Sequence, residues 1–551
     1  MKREFTKGLV FLSGLVVLYW GISFFFIHNW NYPMHEDYTG MRIKGFEGMD
    51  LNPDIIFLGS SHVVSSVMPM KIYADRQIIT YNLGTFNQNL PITNFFIEET
   101  FARGFSPKII VLDAGVLFSN EGFETAYRYV TDNIGISANK NALINSYLST
   151  ISTDDSDCLP LEERIMEKLS WYFPLYRYHD RWSSLNKDAF FDKGSNYYFM
   201  QGGQVISQMK SAWPDLEVVD NVAELEKANQ QYTKEISYGD NFLENYKINE
   251  EEWYVSDISE PNLEWLKKIR TRCFENNCEL LLIKVPVRAT PGEYNSSWTK
   301  LRYKRVKEIS DELSIPYVDL VYDENLKIDW EHDTSDHGWH LNYLGAEKVT
   351  EFLEEYLCAN YKLASCVANE YEEKLITYNE LIDIADIELS YNFSEYIRRI
   401  KESKHSLVVL FSCADDISQI PNDYINVIKE LGLQTDFSKI GYADAFVAIW
   451  DSGVVKYEGI SNKRISYSTQ FGDKKIDITS AGYLDGNYSL IEVNGRNCSM
   501  NRQGLDIVVL DKESGIVVDR SVVDFRNEKK EVIHELGDNL FEYQEYLLKR
   551  K

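Results

Sequence analysis

Basic residues and cysteines are both scarce in this chain of 551 residues. Its 57 Lys and Arg face 85 Asp and Glu, which leaves a formal net charge of −28. Contacts to phosphates need a basic surface, so we expect no nucleic-acid partner. The seven cysteines are too few for a fold built on disulfides, and their odd number leaves at least one thiol unpaired. Cys273 and Cys278 lack a second pair at ligand spacing, so we expect buried free thiols, no bound metal and no cofactor.

Long apolar runs are equally rare. Only residues 8–27 form an uncharged run long enough to span a hydrocarbon core. A cleaved signal peptide would have a shorter apolar segment and a small-residue cleavage site, so the sequence favours an uncleaved transmembrane helix. Lys2, Arg3 and Lys7 precede the run, which predicts a cytoplasmic N-terminus by the positive-inside rule. We therefore expect a cytoplasmic tip and anchor over residues 1–30, a juxtamembrane linker over residues 31–53, and a C-terminal body outside the cell membrane.

Continuous apolar runs in the chain beyond the anchor predict a buried parallel sheet. The runs lie at residues 55–58, 109–112, 280–283 and 315–318. Runs without polar alternation are typical of strands buried on both faces, although Pro316 is tolerated only at a strand's first residue or on an edge. Helical patterns occur near Ile92 and at residues 298–313 and 344–357. This alternation predicts a three-layer α/β domain over residues 54–360, with catalytic groups at the carboxyl ends of the strands.

Two further stretches have their own patterns. Residues 120–255 interrupt the α/β alternation, and we interpret them as an insertion that either lids the substrate cleft or elaborates the surface. Residues 361–387 are charged and helical, as expected of a connector. Residues 388–551 then predict a separate β-rich, sandwich-like domain. Its clearest strands are at residues 407–411, 445–450 and 507–510. Residues 472–473 and 485–486 have the turn chemistry of hairpin connections.

Ser61 lies where the first apolar run turns toward a helix. Gly59 lets the chain turn sharply there, so that the Ser61 hydroxyl and N–H would face a bound substrate. A serine hydroxyl is a poor nucleophile and needs a base, which in turn needs an acid to orient it. Asp336 and His340 lie far downstream at a helix start, in a chain order that a serine acyl-transfer site can use. Gly84, after the next predicted strand, could give a second N–H to the developing oxyanion.

Residues 57–62, Gly84 and residues 336–345 together resemble the SGNH/GDSL hydrolase superfamily. Within it, the chain is similar to the membrane-anchored branch that handles acyl groups on bacterial surface polymers, which includes the D-alanyl-transfer protein of teichoic acids and the alginate acetylation proteins. The resemblance implies an SGNH-type sheet over residues 54–360. It also implies Ser61 as nucleophile, His340 as base and Asp336 as orienting acid, with Gly84 and the Ser61 N–H in the oxyanion hole.

Two positions depart from that family's pattern. The family commonly spaces its Asp and His by two residues, but His337 occupies that position and Asp336 lies one residue further back. Asp333 is therefore an alternative acid. The family's third-block Asn is replaced by Asp113, so the oxyanion hole is either incomplete or completed by one of two nearby residues, Asn87 or Asn89.

Other interpretations stay open for the same residues. Ser61 could cap the helix that follows it, and His340 could bond to backbone at a helix start. A metal site is a further alternative, because ligand-type side chains crowd one short segment. These side chains are His332, Asp333, Asp336, His337 and His340.

A second resemblance covers residues 388–527. The segments 477–483, 486–489 and 502–511 are similar to the interleukin-like epithelial-mesenchymal-transition inducer domain. A similar module in the stem of a vertebrate O-mannose N-acetylglucosaminyltransferase is a carbohydrate-binding β-sandwich, so the resemblance implies a lectin-like role. Alternatively, Gly504 and Gly515 simply satisfy turn geometry.

Together these features predict a membrane-anchored, extracytoplasmic SGNH-type serine esterase or O-acyltransferase. It would act on a cell-surface or exported polysaccharide through an acyl-serine intermediate at Ser61. The expected partners are the membrane, the polysaccharide and a membrane-bound O-acyltransferase, because one helix cannot itself move an activated acyl group across a bilayer. The alternative is a non-catalytic polysaccharide-binding or assembly factor with a degenerate SGNH fold, which the departures at Asp113 and His337 favour.

Overall fold

The computed structural model describes most of the chain outside the middle of the predicted insertion. The described residues are 2–26, 39–119, 124–150, 161–184, 257–287, 296–321, 323, 325–329, 332–335, 340–534 and 539–550. Asp336 and His337 lie outside them, as do residues 120–123, 151–160 and 185–256 of the predicted insertion. The prediction that this insertion either lids the cleft or elaborates the surface therefore falls largely outside the described residues.

A five-stranded parallel sheet forms the centre of the first domain, in the spatial order β2-β1-β3-β4-β5. Its strands are β1 (Ile55–Leu58), β2 (Thr80–Asn82), β3 (Ile109–Asp113), β4 (Glu279–Lys284) and β5 (Tyr317–Asp319). Three predicted apolar runs are strands as expected. The fourth starts only at Tyr317, because Pro316 precedes it and β5 lies at the sheet edge. The prediction of a parallel α/β sheet is confirmed.

Helices supply the rest of the first domain. They are α1 (Lys2–Phe26), α2 (Thr39–Glu47), α3 (Ser61–Val64), α4 (Pro69–Arg76), α5 (Leu90–Ala102), α6 (Glu124–Thr131), α7 (Ala138–Thr150), α8 (Leu161–Ser170), α9 (Pro174–Tyr178), α10 (Glu260–Glu275), α11 (Ser296–Leu313) and α12 (Tyr343–Asn360). Apolar side chains leave the sheet alternately on its two faces. Ile56 belongs to the same buried cluster as Ile97 of α5, whereas Ile55 belongs to a second cluster with Val349 of α12. Both faces of the sheet are therefore covered, which explains the continuous apolar runs.

The N-terminal helix α1 is largely exposed along Phe5–Ser23. By length and composition it can be a membrane span or a signal sequence, and among the described residues no second helix meets that description. The predicted linker over residues 31–53 contains α2, which the sequence patterns do not predict. Met41, Ile43 and Phe46 of α2 are buried in the core of the first domain.

The C-terminal region is β-rich, as predicted. Its strands are β6 (Leu407–Asp415), β7 (Ala445–Asp451), β8 (Val454–Ser461), β9 (Ile465–Phe471), β10 (Lys474–Gly482), β11 (Tyr488–Val493), β12 (Arg496–Asn497), β13 (Gly504–Asp511), β14 (Val517–Val523) and β15 (Val532–His534). They form one connected sheet rather than two separate ones. The reason lies in β6, which pairs with β7 along its first part and with β10 at its end, so that the sheet curls. The predicted turn at residues 472–473 joins β9 and β10, and the one at residues 485–486 lies between β10 and β11.

Helices of the second half pack against this curled sheet. They are α13 (Asn369–Glu388), α14 (Phe393–Glu402), α15 (Asn422–Lys429) and α16 (Asn539–Arg550). The predicted connector over residues 361–387 consists largely of α13, whose Leu381 and Ile384 are fully buried. Two free thiols, Cys273 and Cys278, are buried, as the sequence predicts for that pair.

Candidate active site

The turn that carries Ser61 is set by Gly59 and Ser60. β1 ends at Leu58, and a Cβ on Gly59 would lie 2.4 Å from Val63 Cγ2 and 2.9 Å from Asp113 Cβ, so only glycine fits. Ser60 is the N-cap of α3, and its Oγ accepts a hydrogen bond from the His62 N–H at 3.4 Å. Because Ser60 takes the capping role, the Ser61 hydroxyl is left for other contacts.

Ser61 and His340 meet although 279 residues separate them, and Ser61 Oγ lies 2.8 Å from His340 Nε2. The main chain around His340 is fixed by a hydrogen bond from the Ser335 N–H to the His340 carbonyl at 2.9 Å. Asn342, just after it, caps α12 by accepting from the Leu344 N–H at 3.0 Å. The distance between serine and imidazole is that of a nucleophile and its general base.

Of the two candidate acids, only Asp333 is among the described residues. Asp336 lies outside the described residues, so its contact with His340 stays a prediction. Asp333 is described, and its Oδ2 accepts from Lys348 Nζ at 2.6 Å and from the Asp329 N–H at 2.7 Å. Burial raises the pKa of Asp333, with Lys348 and the Asp329 N–H acting in the opposite direction. Within the described residues, the Asp333 carboxylate is thus bound to these groups and not to the imidazole.

The predicted oxyanion donors are also unequal. The Ser61 N–H begins α3, where helical N–H groups lack internal partners, and no described residue accepts from it. The Gly84 N–H, by contrast, already donates to Asn82 Oδ1 at 3.0 Å. It could serve an oxyanion only by sharing or releasing that bond.

The two asparagines predicted as substitutes lie on the loop after β2. Asn87 is exposed and has a left-handed φ of 51°. Asn89 is buried as the N-cap of α5, where it accepts from the Ile92 N–H at 3.1 Å and donates to the Tyr127 hydroxyl at 3.1 Å. Its amide is therefore committed to the fold, which leaves Asn87 as the freer of the two.

Arg42 of α2 supports the loop that carries Gly84. The sequence patterns do not predict this contact. The side chain is buried, and Nη1 donates to the Gly84 carbonyl at 3.1 Å. The Tyr81 hydroxyl in turn donates to the Arg42 carbonyl at 2.6 Å. Helix α2, in the predicted linker, thus contacts the loop that carries Gly84. No helical periodicity distinguishes α2 from a linker, so only its single arginine could have hinted at this role.

A buried ion pair lies at the carboxyl edge of the sheet beside the Ser61 turn. Asp113 Oδ1 lies 3.4 Å from Lys284 Nζ and accepts from the Val285 N–H at 3.3 Å. Asp113 occupies the position of the expected Asn, and Lys284 was not among the predicted site residues. The available signal was a lysine directly after the apolar run 280–283, at the end of a strand where catalytic groups collect.

His62 completes the polar surroundings of His340. The centroids of the two rings are 5.2 Å apart, and His62 Nδ1 lies 3.3 Å from Ser60 Oγ. Burial lowers the pKa of His62 well below its ordinary value, and the charges on Lys284 and His340 lower it further. His62 is thus neutral at pH 7. Among the described hydrogen bonds, His340 contacts Ser61, whereas His62 contacts Ser60.

Of the five side chains of the metal alternative, Asp336 and His337 lie outside the described residues, and the other three have contacts of their own. Among the described residues no group of three or more His, Cys, Asp or Glu is placed to hold an ion. His332 Nδ1 lies 2.8 Å from Asp329 Oδ2, and its ring stacks on Tyr391 with centroids 3.6 Å apart. The described members of the crowded segment therefore point to separate partners.

No protein-family model matches the chain, and no curated protein matches it. Several solved structures do match. One is a crystal structure of a Bacteroides fragilis protein provisionally named an acylhydrolase, with 9% sequence identity and a TM-score of 0.26. The matched region covers 59% of this chain and 99% of that one. A likeness this distant says nothing about the reaction, which has to be inferred from the side chains themselves.

Proposed function

We propose that the protein is a membrane-anchored, extracytoplasmic SGNH-type serine esterase or O-acyltransferase that forms an acyl intermediate on Ser61. The observation that carries the proposal is the 2.8 Å contact between Ser61 Oγ and His340 Nε2. Supporting it are the Gly59 turn, which lifts Ser61 off the end of a parallel strand, and the Ser61 N–H at the start of α3, from which no described residue accepts a hydrogen bond. A nucleophile, a base and an oxyanion donor at one sheet edge are the parts that acyl transfer requires.

The reaction proceeds in two balanced halves. In the first, Ser61 Oγ bonds to the acyl carbonyl carbon, its proton passes to His340 Nε2, and the leaving alcohol departs with that proton. In the second, a hydroxyl of the acceptor attacks the acyl-serine and gives its proton to His340, which restores the Ser61 hydroxyl. Water as acceptor makes the protein an esterase, and a sugar hydroxyl makes it an O-acyltransferase.

The proposed acceptor or donor is a cell-surface or exported polysaccharide. The exposed N-terminal helix supports placement at a membrane, with the C-terminal body outside the cell. A lectin-like role for residues 388–551 would hold the glycan near the site. Its support is an exposed aromatic pair, Tyr442 and Tyr483, with ring centroids 6.5 Å apart, of the kind on which sugar faces stack. A glycan array probed with the full chain tests this part, and an array without any bound saccharide would refute it.

A membrane-bound O-acyltransferase is the partner proposed to deliver the acyl group. Its support is indirect, because the one candidate span among the described residues offers no path for an activated acyl donor. Co-purification of the full chain from native membranes, followed by identification of bound multi-span proteins, tests this partner. Recovery without any such protein, while transferase activity persists, would contradict it.

The alternative, a non-catalytic polysaccharide-binding or assembly factor, is favoured by one observation. The Gly84 N–H is occupied by Asn82, so the oxyanion site has fewer free donors than expected. Incubation of the full chain in detergent with a fluorophosphonate probe, followed by peptide mapping, separates the two. Labelling of Ser61, together with hydrolysis of a chromogenic acetyl ester, supports the enzyme. Absence of both in wild type, with saccharide binding retained, would establish the alternative.

A further inference from the structure

The ion pair at the ends of β3 and β4 is not used by the serine and histidine chemistry described above. Asp113 ends β3 and Lys284 ends β4, and these neighbouring strands are parallel. The two side chains are only 0% and 7% exposed. Asp113 lies against the Ser61 turn, because a Cβ on Gly59 would approach Asp113 Cβ to 2.9 Å. Two charges are therefore buried next to the candidate nucleophile.

Neither charge is fully satisfied within the described part of the chain. A lysine ammonium has three donors, yet its recorded hydrogen bond is the single 3.4 Å contact to Asp113 Oδ1. Asp113 Oδ2 is buried without any hydrogen-bond partner there. A buried ammonium with spare donors is costly, and such a cost is typically retained where the charge has a task.

Gly115 packs closely against the carboxylate of the pair. A Cβ at this position would lie 2.6 Å from Asp113 Oδ2, so a side chain there would displace the carboxylate, whereas the 3.5 Å to Lys284 Nζ is an ordinary contact distance. The field of the ammonium also reaches His62, whose pKa it helps to lower. His62 in turn lies beside His340, with ring centroids 5.2 Å apart. The positive charge therefore acts on His62, the ring that neighbours the base of the candidate nucleophile.

We propose that the Lys284 ammonium is the charged oxyanion donor of the Ser61 reaction, positioned by Asp113. This inference rests on the proposed function. When Ser61 Oγ bonds to the carbonyl carbon, the π electron pair moves onto the carbonyl oxygen, and Lys284 donates a hydrogen bond to that oxygen. When the intermediate collapses, the pair returns and the alcohol leaves with the proton from His340. Lys284 keeps its own proton throughout.

The assignment accounts for two features together. The Gly84 N–H is occupied by Asn82, so the site needs a donor from elsewhere. An ammonium gives a stronger hydrogen bond to an anion than a neutral amide does, and more so where water is excluded. Asp113 then replaces an amide side chain because its task is to hold a cation, not to contact the substrate.

Steady-state hydrolysis of a chromogenic acetyl ester by the full chain in detergent tests the role of Lys284. Lys284→Met is expected to lower kcat by about 10² to 10³-fold, the usual cost of one oxyanion donor, while KM changes by less than about threefold. Lys284→Arg keeps the charge and should recover part of the loss. Lys512→Met is the matched control, because Lys512 Nζ also pairs with a buried aspartate, Asp451, at 2.9 Å in the C-terminal sheet. Its kcat should equal that of wild type.

Lys284→Met leaves Asp113 buried without its cation, so thermal unfolding of each variant is measured alongside. Where the single variant does not fold, Asp113→Ala with Lys284→Met removes both charges and carries the same expectation for kcat. A kcat within about threefold of wild type in a folded variant overturns the assignment while leaving Ser61 as nucleophile. A rise in KM at unchanged kcat overturns it as well, since the ammonium would then bind substrate in its ground state. Wild type that neither hydrolyses the ester nor labels at Ser61 overturns the proposed function and this inference together.

Discussion

The contact between Ser61 and His340 makes a quantitative prediction about how their substitutions combine. Loss of a serine nucleophile or of its histidine base costs on the order of 10³-fold or more in kcat. At about 1.36 kcal/mol per factor of ten, each single variant therefore raises the activation free energy by about 4 kcal/mol or more. Because the two side chains act through one 2.8 Å hydrogen bond, the second substitution should remove almost nothing further.

The assay is a double-substitution cycle with Ser61→Ala, His340→Ala and the combined variant, using ester hydrolysis by the full chain. The combined variant should lose about as much kcat as either single one. Ser60→Ala is the matched control, since this neighbouring serine caps α3. It should lower the free energy of unfolding by about 0.5–2 kcal/mol and leave kcat within about tenfold of wild type. Losses that multiply to about 10⁶-fold, or a single variant within tenfold of wild type, would refute the dyad.

Two further substitutions test how the surroundings of the site and the C-terminal core are stabilised. Arg42→Met removes the hydrogen bond to the Gly84 carbonyl, and it should lower both kcat and the free energy of unfolding, the latter by about 1–3 kcal/mol, as measured by ester hydrolysis and denaturant titration. Glu388→Met should raise the free energy of unfolding by about 1–3 kcal/mol at pH 7, because both oxygens of this buried carboxyl lack partners among the described residues. Burial raises the pKa of Glu388, so wild type loses stability as pH rises above 4.5, and the gain from methionine should be larger at pH 8 than at pH 4.

The central sheet and the serine–histidine contact were accessible from the sequence because both depend on local signals. Continuous apolar runs mark strands buried on two faces, and three of the four runs are strands at the expected positions. Gly59 marks a sharp turn at the end of such a strand. Parallel strands bring their carboxyl ends to one edge, so a serine and a distant histidine at two such ends can be expected to meet.

The hydrogen bonds that complete the site could not be predicted from local sequence signals. Whether the Gly84 N–H faces a substrate or Asn82 Oδ1 depends on one side-chain rotamer, which no sequence pattern specifies. The pairing of Asp113 with Lys284 depends on β3 lying beside β4, and the order of strands is not encoded locally. In the C-terminal region, a single curled sheet instead of a sandwich follows from β6 changing its partner along its length, which is again a long-range choice.

Segments outside the predicted catalytic domain contact both the loop that carries Gly84 and the segment that precedes His340. On one side, Arg42 of α2 donates to the Gly84 carbonyl beside the oxyanion position. On the other, the ring of His332 stacks on Tyr391, and the His332 carbonyl accepts from Asn342 Nδ2 at 2.7 Å. Asn342 caps the helix that follows His340, so a displacement of the C-terminal region would be transmitted to the imidazole through two contacts.

These contacts join the N-terminal segment, the parallel-sheet domain and the β-rich region. Helix α2 contacts the loop that carries Gly84 through Arg42, and the β-rich region contacts His332 through Tyr391. A chain cut at residues 54–360 would lose the Arg42 bond and the Tyr391 stacking at once. The geometry of the serine and the histidine therefore depends on contacts made by segments on both sides of residues 54–360.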